Sequence, residues 1–286
     1  MNRPRKPERV HDDAQWHRLF GVDVTAITIG ELLNAVEFSI DEQEDLTVFT
    51  QNLHGAYLQA RSPEMRAAYD VCDLAYIDGM PFVWHGDLLG ADFSREHRTT
   101  YLDWYERFYG MASKLGWKVY YLGGTEESFK ISSDALLQQF PGLDFKGRDG
   151  YFDVHGSENS EVLEDINDFR PDVLIVGMGM PRQEQWVADN RPLLDARTIV
   201  TVGAGNDYIA GIIATPPRWM GRFGLEWLYR LGTEPHRLWH RYLVEPIFLL
   251  PIFVRELIRV RLLGNSSTIE HPGGEQNGPA DEALHS

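Results

Sequence analysis

Cysteine occurs once in the 286 residues, at Cys72, so no internal disulfide can form and no cysteine-based zinc cluster can be assembled. No stretch of 18 uncharged apolar residues is present, which excludes a spanning helix. The opening MNRPRKPERV has no apolar segment behind its basic residues, so it does not read as an export signal. Together these absences predict a cytoplasmic chain. No two aspartates are separated by a single residue, so the Asp-x-Asp pair on which many nucleotide-sugar enzymes hold a divalent ion is missing. Also missing are the G-x-x-x-x-G-K-[ST] of a P-loop and the G-x-S-x-G elbow of a serine hydrolase. Basic residues are scarce: 27 Lys and Arg against 43 Asp and Glu give a net charge of −16, which disfavours nucleic acid as a partner.

The basic residues that do occur are concentrated. Arg218 to Leu263 holds eight arginines and four glutamates, a local +4 that leaves −20 on the rest of the chain. The same stretch carries Trp219, Trp227, Trp239 and the apolar run Pro246 to Val254 (PIFLLPIFV), too short to span a bilayer. Arginine and tryptophan beside such a run is the composition of an interfacial element, so this segment is expected to lie on an anionic membrane surface, with Ile247, Phe248, Leu249 and Phe253 at the headgroup boundary. Packing of the run against the core, or its use in a homo-oligomer, is the competing expectation. Residues 264 to 286, polar and rich in Gly, Pro and Ser, read as a disordered tail, and residues 1 to 17 as a flexible N-terminus. The expected organisation is an α/β domain over 18 to 214 and a helical, membrane-associating appendage over 215 to 263. Cutting after Leu243 is then expected to leave the α/β core folded.

Within that domain short β-rich runs alternate with helical ones. Strands are predicted at Val22 to Ile27, Leu46 to Thr50, Leu74 to Ile77, Lys118 to Leu122, Val173 to Gly177 and Ile199 to Val202. Helices are predicted at Ile29 to Phe38, Pro81 to Leu89, Tyr101 to Leu115, Glu126 to Phe140, Glu161 to Phe169 and Arg182 to Asn190. This order implies a Rossmann-like α/β fold, a largely parallel sheet covered on both faces, whose ligand lies outside the carboxyl ends of the strands.

Polar and glycine motifs fall at those ends: Gln51-Asn52, Asp78-Gly79, Gly123-Gly124, Gly177-Met178-Gly179 running to Gln183-Glu184, and Gly203-Ala204-Gly205 running to Asp207. Glycine admits backbone N–H groups to an anion, so a phosphate-bearing small molecule is the expected ligand. The dinucleotide fingerprint fails twice, with Arg182 and Tyr208 where the third glycine belongs, which demotes an oxidoreductase. A nucleotide sugar remains. Asp78, after an apolar strand, reads either as a desolvated base or as a cap for the helix beginning near Pro81.

The order TQN (Thr50 to Asn52), IDG (Ile77 to Gly79), YYLGG (Tyr120 to Gly124), FPGLDFKGRDGYF (Phe140 to Phe152), PDVLIVGMGMPRQEQW (Pro171 to Trp186), VGAGNDYIAG (Val202 to Gly211) and GLEWLYRLGTEPHRLWHRY (Gly224 to Tyr242) resembles the WecG/TagA/CpsF family of glycosyltransferases. The resemblance implies an inverting enzyme that moves a hexose or N-acetylhexosamine from a UDP-sugar to a polyprenyl-diphosphate-linked saccharide, peripheral on the inner face of the plasma membrane. It makes Asp78 the base, with Thr50 and Asn52 orienting substrate and Arg98 contacting a phosphate or the acceptor. It implies no metal and no cofactor beyond the donor. Gly123, Gly124, Gly177, Gly179, Gln183, Glu184, Gly203, Gly205 and Asp207 become the UDP-site candidates, Glu184 standing equally as a mere loop support. Arg230, Arg237 and Arg241 are expected to approach the acceptor diphosphate, from two short helices broken at Pro235. His240, where another arginine is expected, reads either as a pH-sensitive contact or as plain surface.

The sequence departs from the family pattern at Tyr101, which replaces a glycine, and at Gln51, Leu53-His54, Asn206 and Thr215. The donor sugar is therefore not carried over. The alternatives are a noncatalytic, membrane-associated assembly protein with a relic nucleotide site, against which Asp78 argues, and a nucleotide-dependent oxidoreductase, against which the basic appendage argues.

Overall fold

The computed structural model describes residues 14–222, 224–264 and 267–269. The expectations for residues 1–13 and 270–286 lie outside them. The chain opens with β1 (Trp16–Leu19) and β2 (Val22–Thr25), joined through Phe20 and Gly21 at φ of 53° and 79°. Two successive left-handed residues let a two-residue turn follow the twist of an antiparallel pair. Helix α1 (Ile29–Asp41) starts at a Thr28/Glu31 capping box. It is followed by β3 (Leu46–Gln51), α2 (Leu53–Arg61), α3 (Pro63–Ala68), β4 (Leu74–Ile77), α4 (Met80–Leu88) and α5 (Tyr101–Leu115). The second half holds β5 (Lys118–Gly123), α6 (Glu126–Gln139), β6 (Asp144–Arg148), α7 (Ser157–Phe169), β7 (Val173–Gly177), α8 (Arg182–Asn190) and β8 (Thr198–Thr201). Last come α9 (Gly205–Ile209), α10 (Arg218–Arg222), α11 (Glu226–Thr233), α12 (Pro235–Trp239), a π-helical turn (His240–Val244), α13 (Glu245–Leu263) and β9 (Thr268–Ile269).

Six strands form one parallel sheet in the order β4-β3-β8-β7-β5-β6. Every residue of β3, β4, β7 and β8 is buried because both faces of the sheet are covered, and β4 and β7 read as unbroken apolar runs. Alternate residues divide between the faces: Val119 and Tyr121 pack with α1 and α5, Tyr120 and Leu122 with α7 and α8. The expected α/β architecture is the one observed. One sheet strand was missed: β6, with sequence DFKGR, is a partly exposed edge whose charged residues hide its pairing with β5. The early strand predicted at 22 to 27 belongs instead to a separate antiparallel sheet, β2-β1-β9.

That small sheet corrects both expected termini. Trp16 and His17, placed in the flexible N-terminus, are buried in β1. Thr268 and Ile269, placed in the tail, pair with His17 and Trp16, because the free edge of β1 offers ladder partners to a segment with no strand pattern of its own. The hairpin in turn covers β4, the Thr25 hydroxyl accepting from the Ala75 amide at 3.0 Å.

Helix α13 is tied to this hairpin. Glu256 Oε2 and Oε1 accept from the Phe20 and Gly21 amides, each at 2.8 Å, and Leu249 is buried among Leu19, Val24 and Phe82. The appendage is therefore part of the core, and removal after Leu243 would strip these contacts from the hairpin, contrary to the sequence expectation. Of the four residues expected at a membrane, Ile247 and Phe248 are exposed, whereas Leu249 is buried and Phe253 packs on the rings of Phe20 and His85. The helix period turns them inward. No helix among the described residues is long and apolar enough to cross a membrane.

Glu256→Ala orphans two amide donors at the hairpin turn and is expected to cost about 2–3 kcal/mol, lowering the thermal midpoint. Glu256→Gln, which keeps one acceptor oxygen, should lose about half as much. Chemical denaturation of the three proteins measures both.

Candidate active site

The carboxyl ends of the parallel strands bring the predicted motifs into one row. Asn52 and Asp78 stand at the β3 and β4 ends, Gly203 after β8, and Gly177 and Gly123 at the ends of β7 and β5. Strands β5 and β7 are neighbours whose onward connections diverge, to β6 on one side and β8 on the other, which makes the crevice between them the switch point of the sheet. Side chains are excluded there. A Cβ on Gly123 would overlap the Gly177 carbonyl, and one on Gly177 would overlap the Tyr121 hydroxyl and the Gly203 carbonyl.

Gln183 binds the glycine loops to each other. Fully buried, its Oε1 accepts from the Gly179 amide at 3.1 Å and the Gly203 amide at 3.0 Å, and its Nε2 donates to Glu184 Oε1 at 2.6 Å. Two amides of the expected phosphate cradle are thus already satisfied, and Gln183 supports the loops. Gly124 donates its amide to the Gly177 carbonyl at 3.3 Å. Glu184 is fully buried, its Oε2 has no partner among the described residues, and burial pushes its carboxyl up to about 7. The loop-support reading of Glu184 fits this burial. Asp207, half-buried, accepts from Ser128 Oγ at 2.5 Å, which ties α9 to the first turn of α6, capped by Thr125. Gly205 lies under the Tyr101 ring.

Asp78 is half-buried and is not a helix cap, since Gly79 occupies that position and α4 has no side-chain cap. Its amide donates to the Gln51 carbonyl at 2.8 Å, and its carboxylate has no hydrogen-bond partner among the described residues. Burial raises its pKa, against the opposing pull of Arg98, Arg230 and Arg241, while Asp103 adds to the rise. The Thr50 side chain lies beside the Tyr76 hydroxyl, itself raised by burial and by Asp78. Asn52 caps α2, accepting from the Gly55 amide at 3.1 Å, so its Oδ1 is occupied.

The arginines separate into different situations. Arg98, next to Ile77 through a bridge, is buried and gives Nη2 to both oxygens of Glu226, at 2.9 and 2.8 Å. It is spent on α11, and a phosphate would have to displace Glu226. Arg230 and Arg241 reach Asp78 electrostatically; Arg230 also lies over the Tyr208 ring at 5.7 Å, and burial lowers the Arg241 pKa. Arg237 is exposed and paired with Glu234 at 2.6 Å, and is not among the charges acting on Asp78. As expected, Pro235 starts a new helix after α11 ends at Thr233. His240 Nδ1 sits 3.4 Å from Glu245 Oε1, whose other oxygen is 2.8 Å from His54 Nδ1.

Sequence reasoning missed Glu226, His54 and Glu245, which fasten the appendage across the site. Glu226 lay inside a quoted motif, but its Arg98 partner is 128 residues away. Two departures from the family pattern also meet in space: Tyr101 Oη is 3.5 Å from Asn206 Oδ1 and 3.1 Å from Tyr109 Oη, and Asn206 Nδ2 donates to Ser132.

Glu184 makes stability depend on pH. Its folded pKa exceeds the unfolded one, so the native state binds more protons between the two values, and stability falls as pH rises from about 4.5 to about 7. Glu184→Gln should match the parent near pH 5 and exceed it at pH 8 by on the order of 3 kcal/mol, at about 1.36 kcal/mol per unit. Urea unfolding at both pH values tests this; an equal difference at the two would refute it.

Residues 17–262 match the glycosyl transferase WecG/TagA/CpsF family. Among similar proteins, an N-acetylglucosaminyldiphosphoundecaprenol N-acetyl-beta-D-mannosaminyltransferase of Bacillus spizizenii is 25% identical over 217 residues, covering 76% of this chain and 82% of its own. The protein of the same name from Staphylococcus aureus strain MRSA252 is 25% identical over 253 residues, 85% of this chain and 92% of its own. With the match running from β1 through α13, this chain belongs to the WecG/TagA/CpsF family of glycosyltransferases.

Proposed function

We propose that this glycosyltransferase transfers a hexose or N-acetylhexosamine, with inversion, from a UDP-sugar to a saccharide carried on polyprenyl diphosphate, in the synthesis of a cell-surface polysaccharide. The observation that carries the reading is Asp78: a desolvated carboxylate without a hydrogen-bond partner among the described residues, at a strand end, facing the charge of Arg98, Arg230 and Arg241. A base that takes a hydroxyl proton must be free to accept it, and a raised pKa strengthens it. Asp78 takes the proton of the acceptor hydroxyl as that oxygen attacks the anomeric carbon, and the bond from that carbon to the diphosphate breaks with its electron pair going to UDP. Arg230 and Arg241 supply the positive charge for a lipid diphosphate. The donor lies along Gly123, Gly177 and Gly203, where the missing Cβ atoms leave room and the α6 N-terminus adds its dipole. The curated relatives act, by name, on a diphosphoundecaprenol-linked sugar, which supports the acceptor class.

The chain has no Asp-x-Asp on which to hold a divalent ion, so the reading is metal-independent, with the donor diphosphate offset by the strand-end amides and the α6 N-terminus. Transfer should therefore proceed in EDTA. Under those conditions Asp78→Asn is expected to keep UDP binding and to lower turnover by at least about a hundredfold. Turnover in the wild type should fall as pH drops, along a limb lying above the ordinary aspartate range, because only the ionised Asp78 accepts a proton. Parent-like turnover in Asp78→Asn, or loss in EDTA restored by Mg²⁺, refutes the corresponding part.

The same reading puts the protein on the inner membrane face. On α13, Ile247, Leu250, Val254 and Ile258 form one exposed stripe, flanked by exposed Arg255, Arg259 and Arg261. Sedimentation with phosphatidylglycerol vesicles should weaken with salt, since each arginine adds on the order of 1 kcal/mol that salt screens. Ile247→Asp with Val254→Asp should abolish it. Retention of this double variant at low salt counts against the stripe.

A further inference from the structure

The four arginines expected from the sequence at this site, Arg98, Arg230, Arg237 and Arg241, are held in two ways. Arg98 and Arg237 are bonded to carboxylates, those of Glu226 and Glu234. Arg230 and Arg241 rest instead on tyrosine rings, Arg230 at 5.7 Å from the centre of Tyr208 and Arg241 at 5.9 Å from that of Tyr242. The second contact joins neighbours in the chain, whereas the first joins α11 to α9. The difference matters for an anion. A carboxylate that holds a guanidinium occupies its N–H groups and cancels its charge. An aromatic face attracts the same cation through its quadrupole and leaves both the N–H groups and the charge to a further partner.

Arg230 is the clearer instance. Among the described residues no carboxylate lies within ion-pair distance of it, and its Nε is buried without a hydrogen-bond partner. Its guanidinium rests on the Tyr208 ring and acts electrostatically on Asp78. Tyr208 is a fixed support because its helix is pinned from beneath. In α9, Gly205 lies against the Tyr101 ring, Asn206 Nδ2 donates to Ser132 Oγ at 3.0 Å, and the Asp207 carboxylate accepts from Ser128 Oγ at 2.5 Å. The Asp207 carbonyl accepts the Ile212 and Ile213 amides at 2.9 and 3.1 Å, which closes the turn after Tyr208. Burial pushes the Tyr208 hydroxyl up to about 12, so the ring is neutral at neutral pH. In the sequence this residue registers only as the side chain that breaks a glycine fingerprint.

We infer that Tyr208 is a positioning residue whose ring is the platform that keeps the Arg230 guanidinium within reach of Asp78, with its N–H groups free for the diphosphate of the acceptor. The inference rests on the glycosyltransfer reading for the identity of that anion. Without the ring, the alternative partner for Arg230 is Glu234, one turn on, which already acts on it electrostatically and whose Oε1 has no hydrogen-bond partner among the described residues. A pair with Glu234 would cancel the charge and occupy the N–H groups.

The test uses the full chain and farnesyl diphosphate, its binding read by calorimetry, with Arg230→Gln marking the share of affinity that Arg230 supplies. Tyr208→Leu should weaken binding about fivefold, within the range of a partly desolvated cation–π contact. In the Arg230→Gln background the same change should add less than about twofold, because the two residues act as one unit. Tyr208→Phe keeps the ring and should rescue the affinity. Replacing Tyr208 by mono-, di- and trifluorophenylalanine keeps the shape and drains the ring face of electron density, so binding should weaken in steps even if Tyr208→Leu fails to fold. In the transfer reaction Tyr208→Leu should move the acid limb of kcat/KM to higher pH, since Arg230 lowers the Asp78 pKa and a displaced Arg230 no longer does. A side chain that only packs α9 moves no such limb. Flat affinity across the fluorinated series overturns the inference, as do equal losses in Tyr208→Phe and Tyr208→Leu, full additivity with Arg230→Gln, or an unmoved limb. Farnesyl diphosphate that binds the wild type no more tightly than Arg230→Gln also overturns it. If the wild type binds farnesyl diphosphate but transfers sugar to no acceptor, the glycosyltransfer reading fails, while the affinity series still decides the platform.

Discussion

A carboxylate stripped of water at a strand end has to be offset by positive charge, or it stays protonated and does no chemistry as a base. In this chain the offset comes from two places far apart in sequence. Arg98 arrives with the loop that bridges to Ile77, whereas Arg230 and Arg241 arrive with helices that follow the whole parallel sheet. The full field at Asp78 thus exists only when the C-terminal segment is seated. The Arg98–Glu226 pair, Glu245 between His54 and His240, and the Glu256 clasp on the hairpin hold that segment at three separate points.

The same requirement gives the appendage two faces. Leu249, Ile252 and Phe253 pack inward on the hairpin and α4, while Ile247, Leu250 and Val254 point out. A helix with apolar residues all round is stable only if both sides find apolar surroundings. One side is met by the protein. The other side, next to exposed arginines, is suited to a lipid surface, which is where a chain with a net charge of −16 otherwise has least reason to go.

Beneath the site the sheet sets the spacing. Glycines at neighbouring strand ends let β5, β7 and β8 approach where side chains would collide, and Gln183 joins two of the loops by accepting two amides with one oxygen. That arrangement leaves the Gly179 and Gly203 amides already satisfied within the fold. It also explains a buried acid at 184: its Oε1 receives Gln183 Nε2, so that Gln183 Oε1 faces the loops.

What the sequence by itself determined was whatever depends on local pattern. Apolar runs placed β3, β4, β5, β7 and β8 and the period of α5 and α8, and residues after strands placed the glycine motifs and Asp78 at one edge, because a parallel sheet aligns all its carboxyl ends. The order of the motifs was enough to identify the family. Tertiary structure decided which of the arginines act on Asp78, since Arg230, Arg237 and Arg241 look alike in sequence and only Arg230 and Arg241 are brought within electrostatic reach of it. It also decided that Gln183 braces the Gly203 loop, 20 residues on, and that α13 closes on the first hairpin, Glu256 meeting Phe20 across 236 residues. The Asn52 cap and the Arg237–Glu234 pair, each three residues apart, are local. Partners far apart in the chain are fixed by distance in space, which local pattern does not encode.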